Sequence, residues 1–171
     1  MNYGQIACLD VYYYGDYAKA CGIVFRIEPS ERIISRYCKI IESVEEYIPG
    51  QFYRRELPCL LEVYDGIGEG IDLIIIDGFV LLGGGKRGLG AHLFEALDRR
   101  IPVIGVAKTF FRGCTDYVKI YRGHSNRPLY ISCIGTDLTN SAELIRNLGG
   151  DNRIPDILKM VDRLTREDIK S

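Results

Sequence analysis

The chain has 171 residues, a formal net charge of −1, and a composition that is 47% hydrophobic and 26% charged. That length suffices for one domain with a sizeable core, so residues 1–171 are read as a single domain. The near-neutral balance gives no whole-molecule sign of a polyanion binder. The six cysteines make no CxxC and no Cys/His zinc spacing, and no basic-then-apolar leader or run near about 18 apolar residues is present. They are read as small buried thiols of a cytoplasmic protein without a membrane span.

In chain order, QIACLDVYYY reads as a strand, and a short turn at Gly15-Asp16 leads to a second, YAKACGIVFRI. A turn around Pro29-Ser30 leads to a third, RIISRYCKII. Short links between such runs predict an antiparallel meander. The period then changes. Leu57, Leu60, Leu61 and Tyr64 recur at helical spacing, and Asp72 to Asp77 is a buried strand closed by Gly78. Leu89, Leu93, Ala96 and Leu97 mark a second helix, and IPVIGVAK another buried strand. RPLYISCIG is a late strand, followed by a helix from Asn140 to Leu148 with a capping-box spacing of Asn140 and Glu143 and a Gly149-Gly150 stop. Pro155 opens a last helix with Ile157, Leu158, Val161 and Leu164 on one face. Three antiparallel strands followed by alternating helices and strands predict an α/β fold: a ribonuclease H-like mixed sheet with helices on both faces.

Charge is uneven along the chain. Lys86 to Arg127 holds nine Lys or Arg against Glu95, Asp98 and Asp116. That excess suits an anion such as a phosphate backbone, or is simply a solvated basic surface. Asp10 sits near the end of the first strand, Asp77 ends a buried one, and Glu56 begins the first helix. Carboxylates beside apolar strands are costly unless something charged meets them. Convergence of the three would suit Mg²⁺ and metal-assisted attack of water on a phosphodiester; separately, they would only start turns or cap helices. Lys108 ends IPVIGVAK, level with Asp77 if the two strands are parallel neighbours, where its ammonium would hold a phosphate or stabilise transition-state charge, or is an ordinary exposed lysine. Gly83 to Gly88 spells G-x-G-x-x-G before a helix, but it lies mid-chain, without the acid that a dinucleotide site needs. A flexible loop whose Lys86 and Arg87 touch backbone phosphates, or an idle flexible loop, is the better reading. His92 falls near the buried face of the second helix and reads as a core or supporting residue.

These residues together resemble the endonuclease V family. "LDV" with Asp10, "YIPGQFYRRELP", "DLIIIDG", "GLGAHL", "IPVIGVAK" and "RPLYISCIGTDLTNSA" stand in that family's order, from about Ile6 to about Asp168. The resemblance implies a ribonuclease H-like nuclease that cuts near deaminated adenine (inosine or hypoxanthine) in DNA or RNA, in nucleic-acid repair. It implies that Asp10 and Asp77 bind Mg²⁺, with Mn²⁺ as a substitute, and that Glu56 joins them, with Lys108 matching the family lysine. Tyr47, Ile48, Pro49 and Gly50 would form a wedge that fills the helix when the base is extruded. Arg54 and Arg55, Gly78, Lys86 and Arg87 would contact nucleic acid. Two family histidines fall on Gly83 and Gly135, and no residue replaces them except, on spacing alone, Lys86. A binding protein of the same fold with weak or no cleavage therefore stands beside the nuclease. On the residues alone, another metal nuclease such as a junction resolvase also stands.

Overall fold

The computed structural model describes residues 2–167; the end of the resemblance near Asp168 lies outside them. Strands β1 (Ile6–Tyr14), β2 (Tyr17–Arg26) and β3 (Arg32–Ile41) are followed by α1 (Phe52–Ile67), β4 (Leu73–Asp77), α2 (Leu89–Ala96) and β5 (Val103–Ala107). Then come β6 (Val118–Ile120), β7 (Leu129–Ile134), α3 (Leu138–Asn147) and α4 (Asp156–Arg166). They form one sheet in the order β3-β2-β1-β4-β5-β7-β6. β1 is antiparallel to β2 and parallel to β4, which is parallel to β5. This is the ribonuclease H-like mixed sheet expected from the element order.

The two-residue period of β1 builds the two faces. Ile6 and Cys8 pack with Ala142, Ile145, Ile157 and Val161 of α3 and α4, while Ala7 and Leu9 pack with Leu60, Val63, Ala91 and Leu93 of α1 and α2. Apolar runs such as Leu73–Ile76 are buried on both sides, as a strand covered by two helical layers must be.

Three expectations change. Cys21 and Cys38 are not free thiols: they face each other across β2 and β3 and form a disulfide, with Cα atoms 4.1 Å apart. Sequence spacing cannot show this, because the register sets the pairing. Helix α3 is capped by Asp137, whose carboxylate accepts from the Asn140 N–H at 2.8 Å; Asn140 lies inside the helix. The buried stripe of α1 is Glu56, Cys59, Leu60 and Val63, turned one residue from the stripe expected.

Candidate active site

The register of β1 and β4 ends at Leu9 opposite Ile76. The next residues are Asp10 and Asp77, so two carboxylates stand level where the parallel strands part. Strand β1 does not end there, as the sequence suggested. It continues to Tyr14 as one arm of the hairpin with β2, and only its pairing with β4 stops. The Val11 N–H donates to Asp10 Oδ1 at 2.9 Å and fixes that side chain. The rotated stripe of α1 aims Glu56 at the same point, since it begins the row that continues in Cys59, Leu60 and Val63. Asp10, Glu56 and Asp77 line one cavity of about 360 Å³ with Tyr13, Phe52 and Gly78.

Burial and then the Asp77 charge push the Asp10 carboxyl up to about 7. Burial, then Asp10 and Asp77, push Glu56 up to about 8. Oε2 of Glu56 is buried without a hydrogen-bond partner. Crowded carboxylates with an orphaned oxygen are stabilised by a cation. Lys108 supplies part of that charge: its Nζ donates to Asp77 Oδ2 at 3.4 Å across the β4–β5 edge. Arg153 holds the Lys108 carbonyl from the far side. Among the described residues, no three His, Cys, Asp or Glu side chains form a ready-made metal cage. The arrangement still fits Mg²⁺, which takes one or two carboxylates and keeps several waters.

Beside the carboxylates opens a larger cavity of about 790 Å³, lined among others by Tyr47, Gly50, Phe52, Tyr53, Arg54, Asp77, Gly78, Lys86, Arg87, His92 and Phe111. Its rim carries the Tyr47–Gly50 segment. The Gln51 N–H donates to the Ile48 carbonyl at 2.9 Å, with Pro49 and then Gly50, at φ +79°, in the central positions. That is a type II arrangement, which only glycine adopts cheaply at its second central position. Tyr47 is 57% exposed and Ile48 45%. The structure thus brings Tyr47, Gly50, Arg54, Gly78, Lys86 and Arg87 to the same opening as Asp77.

The Endonuclease V family model matches residues 2–126. The chain belongs to the endonuclease V family. An endonuclease V of Saccharolobus solfataricus is 26% identical over 176 residues, covering 97% of this chain and 83% of that protein. The crystal structure of the Bacillus subtilis endonuclease V superposes with a TM-score of 0.81 at 23% identity, covering 95% of this chain and 79% of that one. The endonuclease V of Ciona intestinalis, in complex with a 24mer DNA containing an inosine followed by a ribo-adenosine, gives 0.75 at 16% identity, covering 95% and 84%. The protein is accordingly a nuclease of the endonuclease V type.

Within this endonuclease V fold, the glycine-rich segment is not a loose loop. Leu82 and Lys86 pair through a 2.8 Å hydrogen bond and Leu81 bridges Arg87, so Gly83-Gly84-Gly85 is the tip of a tight hairpin. A Cβ on Gly83, at φ +90°, would lie 2.0 Å from the Gly113 carbonyl oxygen. The position implied for a family histidine is therefore closed to any side chain. Gly135 is no missing member of the site. It follows β7 at the end where Ile134 pairs with Val103 and packs against Phe94 and Pro102, whereas Asp77 pairs with Val106 at the other end of β5.

The basic stretch also resolves into different jobs. Arg122 is buried and donates to the carbonyls of Arg146, Leu148, Gly150 and Asn152, a structural use of its charge. Arg99 pairs with Glu95. Lys86 and Arg87 remain on the cavity wall. Three residues escaped the sequence reading. Asp162, on α4, faces Asp10 closely enough to raise it and pairs with Arg166 at 3.1 Å. Tyr13 lies under the Arg55 guanidinium, 3.8 Å from its ring centre. Tyr53 stacks on His92 with centroids 3.6 Å apart, and burial and Arg87 lower that imidazole. The Asp162–Arg166 spacing was readable as a helix pair, but its nearness to Asp10 depends on how α4 docks. His92 is thus a cavity-wall residue rather than a core one.

Proposed function

We propose that this protein is a Mg²⁺-dependent endonuclease, with Mn²⁺ as a substitute, that cuts a phosphodiester near deaminated adenine in inosine-containing DNA or RNA, in nucleic-acid repair. The observation that carries the reading is the convergence of Asp10, Glu56 and Asp77, one oxygen of Glu56 unpartnered, beside a cavity rimmed by Tyr47. Asp10 and Asp77 would hold the ion, with Glu56 joining them. When bound, a divalent cation polarises the phosphodiester and lowers the pKa of its water.

The chain's own groups do the rest. Tyr47, Ile48, Pro49 and Gly50 take the place of the extruded base in the stack. The cavity, with His92 and Tyr53 on its wall, receives that base. Arg54, Arg55, Lys86 and Arg87 hold phosphates, and Gly78 lets the strand approach beside Asp77. Lys108 Nζ steadies Asp77 and faces charge developing on the phosphate. Glu56, raised to about 8 by burial and by Asp10 and Asp77, would give up its proton to join a bound cation.

A second reading, an inosine-binding protein with weak or no cleavage, is favoured by the closed position at Gly83. A placed general acid or base contributes about 10²- to 10⁴-fold, and this endonuclease has no histidine there. The test is incubation of inosine-containing and control strands with Mg²⁺ and then with chelator. Slow, chelator-sensitive cleavage confined to inosine strands is expected. Tight inosine binding without any cleavage would establish the second reading, and equal cutting of control strands would reject the substrate.

A further inference from the structure

Eight large apolar side chains are markedly exposed among the described residues. Five of them, Tyr47, Ile48, Phe52, Phe110 and Phe111, sit on two segments, and Tyr47, Phe52 and Phe111 line the 790 Å³ cavity. The Tyr47 side has a role in the reading above. The other side, Thr109 to Arg112, has none, yet it leaves Phe110 45% and Phe111 48% exposed.

This segment has an ordered backbone turn and a packed Phe110 ring. The Cys114 N–H donates to the Phe111 carbonyl at 3.1 Å and closes a turn. Cys114 is buried, with its thiol on the Leu81 carbonyl at 2.9 Å. Phe110 packs on Tyr117 and Tyr130, with centroids 5.7 and 5.6 Å apart, and those rings meet Phe79 on the cavity wall at 6.2 and 6.1 Å. An aromatic column thus runs from the cavity wall to the surface. A ring held exposed by its neighbours, as Phe110 is, loses little further conformational freedom when a flat partner covers it.

Charge selects the partner. Lys108 and Arg112 flank the two rings, with Asp116 the one acid between residues 108 and 127. Aromatic faces between cations match single-stranded nucleic acid, whose bases stack while its phosphates meet the charges. We infer that Phe110 and Phe111 form a second base-stacking platform, which holds an unpaired nucleotide of the cut strand beside the cavity that Tyr47 and Phe111 both line. The inference rests on the reading of this cavity as the nucleic-acid site, but it does not require inosine. Two separate stacking surfaces on one cavity suit a splayed single strand better than a closed duplex, so the platform favours unpaired substrate.

The experiment measures binding of fluorescent single strands and duplexes to the full chain by anisotropy, in chelator so that nothing is cut. DNA and RNA versions, each with and without inosine, are compared. Phe110→Ala should weaken single-strand binding roughly 5-fold or more, with or without inosine, and affect duplex binding less. Phe110→Leu, which keeps the apolar bulk but not the π-face, should recover less than half of the loss. Arg112→Ala should reduce the slope of log affinity against log salt by about one. Thermal melting verifies that each variant is folded. Unchanged single-strand affinity in Phe110→Ala, full recovery in Phe110→Leu, a change of oligomeric state instead of affinity, or no measurable single-strand binding by the wild type would each overturn the platform. If inosine has no effect on binding while Phe110→Ala still weakens it, the substrate reading fails and the platform stands.

Discussion

Glu56 shows how a single residue can be costly for the fold and useful for the site. It occupies a place in the apolar row of α1 where a leucine would pack, with one oxygen unpartnered and two further carboxylates nearby. The folded protein keeps protons on Glu56 and Asp10 that the unfolded chain releases above its ordinary values of 4.5 and 3.8. A folded pKa raised above the unfolded one means that the native state binds more protons, so stability falls as pH rises from those values through about 7 and 8. Without metal, the melting temperature should therefore decline between pH 5 and pH 8, and Glu56→Gln should flatten that decline while melting higher at pH 8. An unchanged slope in Glu56→Gln would show that the carboxylate is not strained. Asp77→Ala makes the complementary case. Asp77 is half-exposed at a strand end and repels Asp10 and Glu56, so its loss should leave metal-free stability unchanged or slightly higher. Cleavage should vanish, together with the stabilisation that Mg²⁺ gives. Asp10, Asp77 and Lys108 were legible as charges in or at the end of apolar runs, and Glu56 as a carboxylate at the start of the first helix, because a charge beside an apolar run needs a reason. Asp162 was not, since nothing local marks which turn of α4 meets β1.

Elements were legible where the period was long and unbroken. The hairpin arms β1 to β3, the buried strands β4 and β5, and the four helices all announce themselves by spacing. The three-residue β6 does not, because Val118–Ile120 is too short to show alternation. The stripe of α1 was misplaced by one residue because the true row begins with a carboxylate, which a hydrophobic pattern passes over. The glycine-rich segment is the most instructive case. Three successive glycines read as looseness, whereas they form a hairpin tip pressed against Gly113. Restoring a histidine at Gly83 should thus fail as a gain of function. Positive φ and a 2.0 Å approach to backbone oxygen oblige both turns to move, at a cost on the order of 1–3 kcal/mol. Gly83→His should melt several degrees lower and cleave inosine strands no faster than the wild type. A faster variant would mean that the two turns move apart readily in solution.

Across the whole molecule, the sheet and the start of α1 hold two different operations a short distance apart. The carboxylates are fixed by backbone register and helix docking, Glu56 buried and Asp77 half-exposed, and the Tyr47 turn stands at the rim, held by one hydrogen bond and the Pro49-Gly50 geometry. Only eight residues separate Tyr47 from Glu56, so under the proposed function α1 would join lesion contact to the metal in sequence, yet Tyr47 and Glu56 line different cavities, which share Phe52, Asp77 and Gly78. Their energetics should then separate. Base–aromatic stacking contributes about 1–3 kcal/mol, so Tyr47→Ala should weaken binding of inosine strands roughly 5- to 150-fold and hardly affect lesion-free strands. The same variant should keep the full Mg²⁺-induced rise in melting temperature, because an exposed side chain takes no part in holding the carboxylates. Asp77→Ala should do the reverse, losing the metal effect while still discriminating inosine in chelator. Binding isotherms for both strands and melts with and without Mg²⁺, run on the two variants, give the four comparisons. An equal loss on both strands in Tyr47→Ala would reduce that residue to a general contact. A lost metal response in the same variant would mean that the rim and the carboxylates move together, with α1 transmitting lesion binding to the metal site.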